Sequence, residues 1–437
     1  MLLKTKLKPA TWLFTAFFVG RFISASFWGI FIDKYGRKSG LLLVLVLLTV
    51  CTFLLGLSFN FYYALIIRFL SGLCNGLSII EKTLSTEICP EDMKPWSISV
   101  TNTIWSLGMT IGPFIGSSLY NLFPSLPMFA SSLAVCLIGC VLIALSAVYF
   151  EETLDRNNIS VTSIYKKANE IEETTSDIES PSVAKIPLDV AVKPNSGGIY
   201  EMLDILKLPN VLRIIIIFST NTFYAAVLVS LIPFWIASNY EDGGLGFKHH
   251  DISDIFIYLT LPQLVLQIIL YPIVQKRRGD FWLITRGHCA HIPLFFFLPF
   301  AHVFGKNSFT IQKAWITFWL FIRNLASFMN FAVLQRYGND VISSQKRGKM
   351  NGIQITFSSF FQIVGTFLGG WLLSWSETNQ LSYPFDYHFD FLLMCIVTMI
   401  ALTIIYQLKF VNDERTNKLV SENNINDAEN FELIDRK

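Results

Sequence analysis

The stretch Trp28–Lys38, WGIFIDKYGRK, decides how this chain is read. An apolar segment stops there at Asp33-Lys34, turns through Gly36 into Arg37-Lys38, and gives way at once to a second apolar run, LLLVLVLL at 41–48. On a helix, Gly29 and Asp33 stand four apart and share one face. The small residue lets a neighbouring helix come close, and the carboxylate sits at that contact. It is placed to cap the partially positive N-terminus of an adjacent helix, while Arg37 and Lys38 are expected to stay in the aqueous face of a membrane.

Composition sets the class. The 437 residues are 52% hydrophobic and 15% aromatic, with 39 Phe, and only 15% are charged; mean hydropathy is +0.49. A soluble domain carries roughly 25% charge. An all-α, polytopic membrane protein is therefore expected, with the lipid bilayer as its first partner. The net charge of +2 says little, because the placement of charges matters in a membrane and their sum does not. The seven Cys are scattered, with no C-x-x-C, so neither a disulfide framework nor a zinc site is indicated. Cys136 and Cys140 share a helix face, which reads as small-residue packing.

A hydrocarbon layer about 30 Å thick needs about 20 apolar residues per helix. That ruler gives eleven spans: 12–32, 40–58, 61–81, 98–120, 127–149, 211–236, 252–274, 281–304, 313–335, 350–375 and 387–410. Lys34, Arg37, Lys38, Lys82, Lys94, Lys276, Arg277, Arg278, Arg336, Lys346, Arg347 and Lys349 fall on one side, against Lys248, Lys306 and Lys313 on the other. The richer side is read as cytosolic. Lys4, Lys6 and Lys8 lie on the wrong side for that rule. Residues 1–30 do not read as a cleaved signal peptide, because the apolar run is long, contains Arg21 and lacks a small-residue cleavage site.

The expected organisation is an N-terminal helical bundle at 1–150, a disordered cytosolic linker at 151–209, a C-terminal six-helix bundle at 210–410 and a disordered tail at 411–437. The linker holds EIEETTSDIES and five Pro or Gly turn formers, too little apolar residue to bury a core. Ile199–Leu208 is expected to form a short surface helix. An internal repeat points to two halves. Shifted by 243 positions, the first hinge falls on Pro272, Lys276, Arg277, Gly279 and Asp280, and a shift near 250 brings the glycines at 108–116 onto Gly365 and Gly369.

The pattern Gly29, Asp33, Lys34, Gly36, Arg37, Lys38 resembles the loop signature G-x-x-x-D-R/K-x-G-R/K-K/R of major facilitator superfamily transporters and fills every position of it. The resemblance implies the major facilitator fold of two helical bundles, with a transport site near midplane between them. Members usually have twelve helices, and the first span here resembles their second, so the family's first helix is apparently missing. In SVTNTIWSLGMTIGPFIGS, glycines 108, 112 and 116 with Pro113 make a smooth groove that can bend. It looks like the fifth-helix signature of the exchanger branch, with Ser117 in place of the last glycine. EICPEDMKPWSISVTNTIWSLGMTIGP at 87–113, GGLGF at 243–247 and QKRGKMNGIQITFSSFFQIVG at 345–365 narrow the resemblance to the drug:proton antiporter subfamily and its zinc-induced-facilitator-like branch. What this implies is proton-coupled export or vacuolar sequestration of a small molecule or cation, in a vacuolar, lysosomal or plasma membrane.

A charge deep in a span costs about 2.5–3.5 kcal/mol on insertion scales, so Arg21 and Arg68 should face a cavity or a partner. Arg68 matches the family's fourth-helix Arg motif, which the resemblance ties to proton coupling. No acidic residue lies at midspan in these assignments. Candidate cargo contacts are the in-span amides Asn75, Asn102, Asn221, Gln263, Gln267, Asn324 and Asn330, with Gln354 and Gln362; amides also glue helices together. Phe223, Tyr224, Trp235, Trp319 and Trp371 could stack on an organic cargo, although any one of them is read first as lipid-facing or interfacial. His288 and His291 stand three apart, and His249-His250 adjoin Asp251, without tight multi-ligand spacing.

No metal site, cofactor or nucleic-acid partner is expected, and the chain is expected to act as a monomer. With no phosphate-binding Gly-Lys-Ser/Thr loop and no nucleophile elbow, an ATP-driven pump and a membrane hydrolase are set aside. A transporter is the first reading. A non-transporting receptor on the same fold, or a facilitator without proton coupling, is the alternative.

Overall fold

A computed structural model describes residues 2–90, 93–119, 122–123, 126–153, 198–208, 211–305, 308–342, 346–376, 378 and 381–407. Most of the expected linker and all of the tail at 411–437 lie outside the described residues. Those described form helices and turns, with no strand among them. In chain order the helices are α1 (Leu2–Tyr35), α2 (Arg37–Gly56), α3 (Phe61–Leu73), α4 (Leu77–Glu87), α5 (Lys94–Ser118), α6 (Phe129–Tyr149), α7 (Gly198–Lys207), α8 (Val211–Ala237), α9 (His249–Arg278), α10 (Asp280–Phe297), α11 (Ala301–Gly305), α12 (Phe309–Asp340), α13 (Arg347–Ser376) and α14 (His388–Gln407).

Among the described residues, nine helical stretches are long and apolar enough to cross a membrane. The expected spans 98–120 and 252–274 are also helical, as α5 and α9, but do not belong to the nine. Prolines 233, 262, 272 and 293 lie inside α8, α9 and α10 without ending them. Neighbouring helices in a membrane protein can restore the backbone partners that proline removes.

The span expected at 61–81 is present but longer, and it is interrupted inside. The helix breaks at Cys74–Gly76 and resumes as α4, and Gly76 lies where a Cβ would meet the Trp28 indole at 2.7 Å. The indole Nε1 donates to the Leu73 carbonyl at 2.8 Å, taking up an acceptor at the break. The continuous stretch therefore runs to Ser85. Glu81 and Lys82, assigned by the shorter ruler to the end of a span and a loop, lie within it.

Helix α13 is the hub of the packing. It lies against α1 on one side and α8 on the other, and touches α4; α1 also packs on α3, α2 on α6, α9 on α5 and α12, and α10 on α12. The chain therefore closes on itself between its first expected span and its tenth. Three buried clusters lie within the second half of the chain or lean on it, around Trp235, Phe218 and Met350, and one is built on Trp28 and Ile32 of α1. Outside, α6 presents Leu137, Val141 and Val148. A helix that shows aliphatic side chains outward fits lipid as its solvent.

At both ends of the expected linker at 151–209 the described residues are held against the helices. Glu152 is anchored, its carboxylate accepting the main-chain N–H groups of Arg37 at 2.8 Å and Lys38 at 3.2 Å. At the other end the short surface helix expected at Ile199–Leu208 is present as α7, with its apolar face docked: Met202 and Ile205 are buried against Val211, Ile215, Met350 and Ile353. Glu201 of α7 also pairs with Lys349.

Candidate functional site

The hinge carries a chain of charges at the basic end of the molecule. Gly36 has φ +104°, a conformation that side chains rarely adopt, so the α1–α2 turn is closed by the one residue suited to it. Asp33 lies beneath the first turn of α13 and accepts the N–H groups of Gly348 at 3.1 Å and Lys349 at 2.8 Å. A carboxylate at a helix N-terminus takes up orphan donors and meets the positive end of the dipole. Close approach makes this possible: a Cβ on Gly29 would collide with the Gly348 carbonyl, and the α-carbon of Gly352 lies 3.2 Å away.

Arg37 corrects the expectation that it stays in water. It is 1% exposed, and its Nε and Nη2 grip the Glu87 carboxylate at 3.2 and 3.0 Å, with Asp33 at 3.5 Å. Burying a guanidinium is tolerated when its fork is filled this way. Lys34 stays exposed beside the Tyr35 ring, and Lys38 meets Glu152 only through its main chain.

Deeper along α1, a polar seam joins helices from before and after the linker. Arg21 is buried, donating through Nε to Ser359 Oγ at 2.9 Å and through Nη2 to Gln362. Lys82 is buried as well, donating to Gln354 at 3.2 Å with its ammonium 3.8 Å from the centre of the Phe218 ring. Gln335 donates to Ser85 Oγ at 2.9 Å, Asn339 to the Lys82 carbonyl at 3.0 Å and Asn351 to Thr83 at 3.1 Å. Gln354 and Gln362 thus serve as glue between helices. Arg68 has neither a deep partner nor burial: it is exposed on α3.

The remaining amides divide. Asn75 sits at the α3–α4 break and Asn102 on α5, each with one buried side-chain atom that has no hydrogen-bond partner. Gln263 and Gln267 are buried on α9, where the Gln267 carbonyl accepts from Ser99 of α5 at 2.9 Å. Asn221, Asn324 and Asn330 come together with Tyr224, His288, His291 and Arg323 in a polar core between α8, α10 and α12. Tyr224 and Trp235, read first as lipid-facing or interfacial, are buried instead, the indole of Trp235 donating to the Gly243 carbonyl at 3.1 Å; Trp371 is exposed. Gly108, Gly112 and Gly116 have no described atom within 4 Å of where a Cβ would stand. Pro113 is carried within α5, its side chain outside the described residues. At the end opposite the hinge a cavity of about 720 Å³ opens between α9 and α12, lined by Tyr258, Pro262, Phe309, Lys313, Thr317 and Phe321.

Glu81, Glu87, Glu152 and Arg323 escaped the sequence reading, and Lys82 was placed with the loop charges of the cytosolic side. The rule that singled out Arg21 and Arg68, a charge deep in a span, applies equally to Arg323 within 313–335 and would have found it. Glu87 and Glu152 carry no such signal, since packing alone brings them to Arg37.

The Major Facilitator Superfamily model matches residues 5–343. Protein ZINC INDUCED FACILITATOR 1 of Arabidopsis thaliana is 27% identical over 408 residues, covering 89% of this chain and 80% of that protein. Protein ZINC INDUCED FACILITATOR-LIKE 1 of the same plant is 26% identical over 381 residues, 84% of this chain and 75% of its own. Among solved structures, the human organic anion transporter MFSD10 (TETRAN) superposes with a TM-score of 0.68 at 16% identity, over 91% of this chain and 83% of its own, a likeness of fold. With the hinge, the hub helix and the helical architecture in agreement, the chain belongs to the major facilitator superfamily, as an integral multi-pass membrane transporter and not an enzyme.

Proposed function

We propose that this transporter is a secondary active carrier that works by alternating access. Bundles at 1–150 and 210–410 rock about a midplane site and move a small organic molecule or cation away from the basic end in exchange for protons. The observation that carries this reading is an asymmetry between the two ends. The basic end is sewn shut across the halves by Asp33 on α13 and by the Lys82, Gln335 and Asn351 bonds. At the other end, Ile104, Trp105 and Ile111 of α5 are exposed and the cavity beside α9 is open. One pose of a two-pose machine has this form, with access from a single side.

Proton coupling is assigned to the seam. Glu81 is a carboxyl within the Phe61–Ser85 span, next to the buried Lys82. Arg21 supplies positive charge from the neighbouring helix α1, and Arg68 stands as a second coupling candidate on the exposed face of α3. A carboxyl that gains and loses a proton there changes the charge balance of the seam that holds the halves together.

Two measurements test the reading. Spin labels paired at Lys34 and Lys346 across the basic end, and at Trp105 and Tyr258 across the other, should each give two distance populations that shift in opposite senses with pH; one fixed distance at both ends sinks alternating access. In sealed vesicles screened with candidate solutes, an imposed proton gradient should drive flux, and Glu81→Gln or Arg68→Ala should remove the gradient dependence while leaving solute exchange. Gradient-independent flux in the unaltered protein assigns an uncoupled facilitator instead.

A further inference from the structure

Among the described residues three arginines have side chains deep in the protein, and two of them have the carboxylate-matching edge of the guanidinium filled. Arg37 uses Nε and Nη2 to grip Glu87; Arg21 uses the same two nitrogens on Ser359 and Gln362. Arg323, midway along α12, does not. Its Nη1 donates to Asn324 Oδ1 at 2.9 Å, while Nε and Nη2 are closed off from water and meet no acceptor among the described residues. No described carboxylate forms an ion pair with it. Buried donors left open in this way call for an explanation, the more so on a full charge.

The surroundings are built in the same sense. Tyr224, fully buried on α8, lies within electrostatic range of the Arg323 guanidinium, and its hydroxyl donates to Asn221 Oδ1. The Asn221 amide nitrogen is a further buried donor without an acceptor. On α10, His288 and His291 each turn Nδ1 toward a main-chain carbonyl, at 2.9 and 2.6 Å, so each carries its proton there. His291 Nε2 then accepts from Ser327 at 2.8 Å, while His288 Nε2 is buried with nothing to accept from. The Tyr224 and His291 rings are 4.9 Å apart, so the three helices hold one continuous cluster.

We propose that this cluster is a binding site for the carboxylate of an organic solute. Arg323 Nε and Nη2 take the two carboxylate oxygens as Arg37 takes those of Glu87, the Asn221 amide adds a donor beside them, and His288 Nε2 accepts from a hydroxyl or amine on the same molecule. That the solute is cargo rests on the transport reading above; binding itself does not, and the two fail separately.

The test uses the purified full chain in detergent. Its melting temperature is followed against acetate, benzoate and citrate, with phosphate and chloride at matched ionic strength. The organic carboxylates should raise it in a saturable manner, Arg323→Lys should weaken the apparent affinity at least tenfold, as a point charge replaces the fork, and Arg323→Gln should abolish the shift. Should the variants fail to fold, phenylglyoxal labelling of the unaltered protein gives a second readout, in which saturating carboxylate should protect Arg323 and leave the exposed Arg68 modified. Equal shifts in the unaltered protein and Arg323→Gln, a shift with phosphate alone, or no protection at Arg323 overturns the assignment. Vesicle flux that persists while carboxylate binding is absent overturns the site and leaves the transporter standing.

Discussion

The hinge between α1 and α2 and its counterpart 243 residues later, between α9 and α10, are the same turn with the charges exchanged. Both are closed by a glycine at positive φ, Gly36 at +104° and Gly279 at +79°. In the first, Arg37 opens α2 and pairs with Glu87 at the end of α4. In the second, Asp280 opens α10 and pairs with Arg336 near the end of α12. The tie from the start of one helix to the end of the next but one is kept, and its sign is not. Strength differs as well: Arg37 and Glu87 are 1% and 7% exposed at 3.0 Å, whereas Arg336 and Asp280 are 18% and 19% exposed at 3.8 Å. Asp33, which crosses to α13, corresponds to Lys276 in the second hinge, so among the described residues the capped helix end has no equivalent there. Among the contacts on that side is a looser pair, Lys94 of α5 with Asp340 at 3.8 Å. The positive-φ glycine turn is present at both hinges, and among the described residues the cap across to a helix of the other half is seen only at the first.

The comparison breaks most readily at Glu87. Glu87→Ala leaves Arg37 buried without its bidentate partner, which costs about 3–5 kcal/mol where no water enters, so a large fall in melting temperature in detergent is expected. A fall no greater than that of Asp280→Ala would remove the distinction drawn between the copies. Asp33→Asn comes next. Its amide can still accept one N–H of α13 but loses the charge facing the helix dipole. We expect membrane insertion to be retained and transport to drop about tenfold, equivalent to about 1.4 kcal/mol. Lys276→Gln, the matching change, should leave flux near that of the unaltered protein.

The two glycine ridges sharpen the picture. Gly365 and Gly369 of α13 are pressed onto α8, where an added Cβ would meet the Phe223 and Val227 carbonyls at 2.7 Å. Their counterparts on α5, Gly108, Gly112 and Gly116, meet no described atom within 4 Å. Gly365→Leu is therefore expected to lower thermal stability. Gly112→Leu should change it by less than about 0.5 kcal/mol and cut transport several-fold by obstructing closure of that end. Equal flux in Gly112→Leu and the unaltered protein would show that the α5 ridge never closes on a neighbour.

How much of this was legible in the sequence follows from the reach of each interaction. The hinge was, because Gly29, Asp33 and Gly36 act through fixed local offsets. So were the long helices, because lipid demands continuous apolar runs. The break at Cys74–Gly76 was not, since it depends on the Trp28 indole arriving from α1. Arg37 was misread as aqueous because its partners Glu87 and Glu152 come from segments 50 and 115 residues away. Lys82 was misread for the same reason: a basic residue at a span's end belongs in water unless, as here, a Gln and an aromatic ring from other helices enclose it.

The smallest effect is the most discriminating one. If the second hinge needs only an attractive pair and not a particular sign, Asp280→Asn should cost less than about 1 kcal/mol, the range of partly exposed ion pairs. The double change Asp280→Arg with Arg336→Asp should then recover what each single reversal loses, although Arg336 also lies 3.3 Å from Asp340, which a reversed residue would repel. Replacing Asp340 by Asn in the reversed background removes that repulsion, and melting of the single, double and triple variants isolates the pair from its neighbour. Recovery only in the triple variant would mean that Asp340 fixes the polarity of this hinge. Recovery in neither would mean that α10 and α12 are held by their packing, and that the charges at the second hinge do not hold it.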